Sequence, residues 1–151
     1  MDYNVVSYEK RIKENIKNYA IRNLYALDML TEYLTEISQE YGMDLLLTDR
    51  HGEKAVVLGD FDGFEPDVVN EPGKKLRIAE RTVGHLYVRY EGVAEERREA
   101  AKRMLGLAMD VLASLGTETY LQKESAAYID ELEARLENGH HQKLHSEEKD
   151  I

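Results

Sequence analysis

Residues 75–91 read KLRIAERTVGHLYVRYE, and the fold turns on how this stretch divides. Leu76 and Ile78 alternate with Lys75, Arg77 and Arg81, while Leu86, Val88 and Tyr90 alternate with His85, Tyr87 and Arg89. A period of two belongs to half-buried strands, so the stretch predicts two of them, 75–81 and 85–91, connected across Thr82-Val83-Gly84. Upstream, Met43 to Asp49 and Lys54 to Asp60 are short and rich in Leu and Val. The segment Asp49-Arg50-His51-Gly52 between them carries turn residues in the order of a hairpin. Phe61 to Gly73, which holds both prolines and shows no helical period, predicts a loop between the two strand pairs.

Helices flank this centre. From Tyr8 to Tyr41 the chain has no Gly or Pro, and Ile12, Ile16, Tyr19, Ala26, Leu30, Tyr33 and Ile37 fall near a four-three spacing interrupted by Asn23. That pattern predicts one long helix, with Gly42 just past its end. After the last strand, Ala101, Met104, Leu105, Ala108, Val111, Leu112 and Leu115 build an apolar stripe behind Glu95, Glu96 and Glu99, whose charges suit a helix start. Beyond Gly116 the stripe changes phase and returns as Leu121, Ser125, Ile129, Leu132 and Leu136, a narrower seam of coiled-coil type. Asn138-Gly139 predicts a stop, and the charged tail from His140 reads as a disordered linker. The fold class is therefore α+β: a small antiparallel sheet covered on one face by long N- and C-terminal helices and on the other by the loop. Its divisions are an N-terminal packing and dimerisation helix (1–41), a core (42–116), a coiled-coil-like helix (117–139) and a tail (140–151).

Composition narrows the function. The chain of 151 residues is 42% hydrophobic, enough for one domain, and has no cysteine. That fits a reducing compartment and removes thiol nucleophiles and thiolate metal sites. A net charge of −10 opposes binding to nucleic-acid phosphates. Neither a signal peptide nor an apolar run of membrane-spanning length is seen, so the expectation is a cytoplasmic chain with no membrane segment.

The arrangement from about Leu34 to Leu115 resembles a GAF-like or PAS-like sensor domain of bacterial signalling proteins. The resemblance is carried by Tyr41-Gly42-Met43-Asp44, by the strand and turn from Leu45 to Gly52, and by Arg81-Thr82-Val83-Gly84-His85-Leu86-Tyr87-Val88. In such domains a Val-Gly-aromatic strand leads into a closing helix. Too few residues lie between Asp60 and Lys75 for the usual strands and helices, so this would be a reduced member. The C-terminal section is similar to the helical linkers that precede GGDEF-type output domains, in which case the chain is an N-terminal sensor and any catalysis lies outside it. Family activities that need cysteine, sulfoxide reduction and covalent bilin attachment, do not fit, and the cyclic-nucleotide signature is not found. The resemblance implies reversible binding of a small molecule and no cofactor; the leading expectation is a homodimer through the long helices, as a parallel bundle or, equally open to the sequence, an antiparallel one.

Candidate binding residues follow from the alternation. Arg77, Arg81, His85, Tyr87 and Arg89 fall broadly on one side of neighbouring strands, where guanidinium groups can pair with a carboxylate or phosphate and a Tyr ring can stack. The same pattern also fits a solvent-facing strand surface paired with Glu80 or Glu91. Phe61 and Phe64, the only phenylalanines, lie in the loop as a lid over an apolar pocket or as its anchors. Asp60, Asp62 and Glu71 have calcium-loop spacing, but Glu65 and Pro66 occupy the position of the required glycine turn. His141 and His145 lack an acidic partner, so no metal site is predicted. Two other readings stand beside the sensor: a ligand-free dimerisation or adaptor module, and an enzyme using His85, Asp60 and arginines, for which linear order supplies no constellation.

Overall fold

The structure, a computed structural model, describes residues 7–149, with side chains as far as Gly139. Four strands, β1 (Asp44–Asp49), β2 (Lys54–Leu58), β3 (Lys74–Ile78) and β4 (Arg81–Arg89), form one antiparallel sheet in the order β2-β1-β4-β3. The two hairpins thus meet along β1 and β4, whose register sets Leu46 against Tyr87 and Thr48 against His85. The first hairpin is as expected: the Asp49 carboxylate accepts from the backbone N–H groups of His51 (2.8 Å) and Glu53 (2.9 Å), fixing the turn.

The second hairpin turns earlier than its sequence suggests. Ala79 and Glu80, at φ +51° and +66°, make a two-residue turn, and Thr82-Val83-Gly84 lies within β4 rather than joining two strands. Both turn residues need a left-handed backbone that Asn or Gly adopts more readily, so the usual hairpin signal is missing here. A register shift at Leu76/Arg77 also breaks the alternation there.

Where the sequence predicts one N-terminal helix there are three short ones. They are α1 (Tyr8–Asn15), extended by a 3₁₀ turn over Ile16–Asn18, α2 (Ile21–Leu24) and α3 (Leu27–Tyr41). The breaks fall at Tyr19-Ala20 and Tyr25-Ala26, which are extended. Asn23 turns its side chain back to accept from Ala20 N–H at 2.9 Å, and the breaks let both tyrosines reach the C-terminal helix. Tertiary contacts therefore override a window with no local breaker. Gly42 ends α3 at φ +80°, as expected, its N–H donating to Ser38 O.

The C-terminal helix α4 (Arg98–Lys149) follows a 3₁₀ turn at Glu95–Arg97 and runs 52 residues. It passes Gly116 without a break, because Ile78 and Tyr25 pack against the bare backbone there. Its backbone also continues through Asn138-Gly139, where the sequence predicts a stop. One glycine costs a helix only ~1 kcal/mol. The core lies between the sheet's helix face and α2, α3 and α4, with Leu30, Leu34, Leu45, Leu47, Leu86, Leu105 and Leu112 all buried. Among the described residues no helix is long and apolar enough to cross a membrane.

Candidate functional site

Strand alternation sends Leu45, Leu47, Leu86 and Val88 to the helices, and Leu46, Thr48, His85, Tyr87 and Arg89 to the opposite face. Residues 59–73 cross that second face. Leu46, Thr48, Phe61 and His85 are buried there, yet Leu46 and Phe61 stand outside the helix-side cluster, so the loop makes a second, thinner layer.

Three β4 side chains hold the loop down. His85 Nδ1 lies 2.8 Å from Pro72 O, and Tyr87 Oη donates to Glu71 O at 2.8 Å. Arg89 donates to Asp60 O while its guanidinium lies over Phe61, 4.4 Å from the ring centroid, and 5.7 Å from that of Phe64. Phe64 meets Tyr87 edge to face at 5.3 Å. Burial first, and then the carboxylates of Asp67 and Glu71, push the Tyr87 phenol above its ordinary pKa, which keeps it a neutral donor. The loop is ordered by its own turns: Asp60 accepts from Asp62 N, and Asp67 accepts from the backbone and side chain of Asn70, a pairing that lowers the Asp67 pKa.

The proposed pocket is accordingly an open groove rather than an enclosed space. It has a volume of about 340 Å³ and is lined by Phe61, Phe64, Tyr87 and Arg89 together with Glu71, Gly73, Lys74 and Tyr90. It lies where β3 begins: pairing with β4 starts at Lys74↔Leu86, so among the described residues β4 runs on from Tyr87 to Arg89 without a strand neighbour on that side. The groove thus combines aromatic walls, an unpaired strand edge and two cations. Lys74 is exposed and makes no ion pair among the described residues, whereas Arg89 is engaged with the loop.

Four of the candidate residues, Phe61, Phe64, Tyr87 and Arg89, come together in this groove. His85 serves the loop from beneath. Arg77 and Arg81 are elsewhere, beside the β3–β4 turn, where Arg77 Nη2 donates to Glu80 O at 2.7 Å. Of the residues considered for an enzyme, the His85 ring is bonded to Pro72 O and the Asp60 carboxylate to Asp62 N–H. Among the described residues no His, Asp or Glu cluster could hold a metal ion; His141 and His145 lie outside the described side chains.

Sequence reasoning missed Lys74, which lies at the first position of a strand and bears no local signal. It also missed a buried carboxylate, Glu124, 4% exposed, on the α4 face that receives α1. Glu124 accepts from Asn15 Nδ2 at 2.6 Å and Tyr19 Oη at 2.9 Å, and Arg11 Nε lies 3.4 Å away without hydrogen-bond geometry. Arg11 continues to Glu131 at 2.5 Å, a hydrogen bond that raises its pKa, and Tyr8 reaches Ser125 at 2.6 Å. Tyr19 stacks edge to face on Tyr120 at 4.7 Å, and burial beside Glu124 pushes both phenols up to about 12. Comparison with protein-family models, curated proteins and solved structures returned no match.

Proposed function

We propose that the chain is a regulatory domain that binds a small, partly apolar anion in the groove between the 59–73 loop and β4, and transmits its occupancy through α4. The groove carries this reading. Its aromatic walls suit a flat or aliphatic body, Lys74 supplies a cation with no ion-pair partner among the described residues, and the unpaired edge of β4 offers backbone hydrogen bonds. Transmission has a mechanical basis in the same strand. Tyr87 and Arg89 hold the loop on one face, while Leu86 and Val88 pack into the helix-side core on the other. A ligand that prefers one position of β4 thereby favours one packing of α4. On this reading the domain itself catalyses nothing, and any output activity belongs to a partner or an adjoining domain.

The test is thermal unfolding across a panel of small carboxylates, phosphate esters and nucleotides, because a ligand of the native state raises the melting temperature by mass action. The expected hit is an aryl or branched aliphatic carboxylate whose shift disappears in Lys74→Glu and survives in Arg81→Ala. A panel without hits, or a hit indifferent to Lys74→Glu, overturns the reading.

The second reading, a dimerisation or adaptor module, is favoured by a different observation. Met104, Leu107, Val111 and Leu115 flank the buried stripe of α4 and are 37%, 60%, 44% and 40% exposed. A row of apolar side chains on the outer face of a helix marks a protein contact.

A further inference from the structure

The exposed row on α4 also has a charge pattern, from which we infer that two copies of this chain associate through antiparallel α4 helices that cross at Val111. The inference rests on the reading of α4 as an assembly surface and adds its partner, orientation and register.

Leu107, Val111 and Leu115 recur every four residues and so share one helix face. Leu105, Ala108 and Leu112, about a quarter-turn round the helix, are buried in the core. Among the described residues no other element covers the row, which is left to meet water or another molecule. Val111 is its midpoint. A twofold axis through it sets Leu107 of each copy against Leu115 of the other, about 6 Å from the crossing at the helical rise per residue.

The charges at the two ends decide the direction. Arg103 precedes Val111 by about 12 Å along the helix and Glu118 follows it by about 11 Å. Both are exposed, and Arg103 makes no ion pair or hydrogen bond among the described residues. Glu118 accepts only a 3.5 Å contact from Gln122. An antiparallel pair brings each Arg103 beside the other copy's Glu118, on the same side of the interface, and does so twice. A parallel pair keeps the leucines matched but sets Glu118 against its own copy and leaves Arg103 without a partner. Like charges at such a contact disfavour that arrangement. The patch is thus complementary to itself only when reversed, as an isologous interface requires.

The chain has no cysteine, so single cysteines report geometry without background. Full-length protein is examined by light scattering and sedimentation, followed by disulfide trapping of Leu107→Cys alone and of Leu107→Cys mixed with Leu115→Cys. A dimer that traps the mixed disulfide and not the Leu107→Cys homodimer is the expected result. Arg103→Glu or Glu118→Arg alone should weaken the dimer by about tenfold, and the double exchange should restore it. A monomer at every concentration overturns the assembly surface and this inference together. A dimer that traps Leu107→Cys with itself, or one that the double exchange fails to restore, overturns the orientation and leaves assembly standing. Val111→Lys, exposed and remote from the core, should give a folded monomer; an unchanged dimer places the interface elsewhere.

Discussion

Replacing Gly116 by alanine sets two effects of known size against each other inside one helix. In an exposed helix interior alanine is favoured over glycine by ~1 kcal/mol. At Gly116, however, a Cβ would fall within contact distance of Ile78 Cδ1 and the Tyr25 hydroxyl, and 2.8 Å from Tyr25 Cζ. Both neighbours are buried, Ile78 at 1% and Tyr25 at 5% exposure, so neither can swing into solvent. Overpacking of this kind costs about 1–3 kcal/mol. The expected net effect of Gly116→Ala is a loss of up to about 2 kcal/mol, or a melting temperature lower by up to about 8 °C in a chain of this size. Gly106 is the internal control: it lies in the same helix and a Cβ there meets nothing within 4 Å. Gly106→Ala should therefore stabilise by about 0.5–1 kcal/mol. Urea unfolding followed by helical circular dichroism compares the two, and Ile78→Val, which removes Cδ1, should recover part of the loss in the Gly116→Ala background. If Gly116→Ala stabilises as much as Gly106→Ala, the close approach of Tyr25 and Ile78 to α4 is wrong.

Three further outcomes can be checked. Tyr25 and Tyr120 titrate near 12 in the folded chain and near 10 when unfolded, so the unfolded state loses those protons first; stability is intact below pH 10 and falls between pH 10 and 12 by ~2–3 kcal/mol for each group. Tyr25→Phe should remove its share of that alkaline loss, and urea midpoints that slope equally in both proteins refute the assignment. Converting Ala79-Glu80 to Asn-Gly relieves two left-handed residues and should raise stability by about 1 kcal/mol, seen as a higher urea midpoint with unchanged slope; a lower midpoint refutes the turn geometry. Glu124→Leu leaves Asn15, Tyr19 and Arg11 without their shared acceptor and should cost about 3 kcal/mol, whereas a neutral result by the same assay shows that the network carries no weight.

What the sequence reveals depends on whether a signal is local. Asp49 and Gly52 mark the first hairpin because the turn draws on their own backbone and side chains. The 61–73 loop and the apolar face of α4 are legible for the same reason. The second hairpin is misplaced because Ala79 and Glu80 adopt a turn they do not advertise, while Gly84, which looks like a turn residue, serves close packing against Ile21. Counting in twos places Arg77 and Arg81 with Arg89 only by running across that turn and across the register shift, and either feature breaks the count. The helix breaks at Tyr19 and Tyr25 are made by partners about a hundred residues away. Glu124 looks like any exposed glutamate until α1 lies over it. In the groove, Phe61 and Phe64 stand out as rare residues in a loop, but Lys74 acquires its place only where β3 happens to begin.

The way α1 is attached has a consequence for the order in which the molecule comes apart. No residue of α1 is fully buried; Ile12 packs on the core only in part, and polar contacts of Arg11, Asn15 and Tyr8 make much of its hold on α4. Such a layer forms a separate cooperative unit whose opening requires less free energy than global unfolding. Amide hydrogens of α1 should therefore exchange with solvent ahead of those in β1 and β4, and each opening returns the Glu124 carboxylate to water. The N-terminal helix is then a clasp whose opening would bare the distal half of α4 while the sheet remains intact.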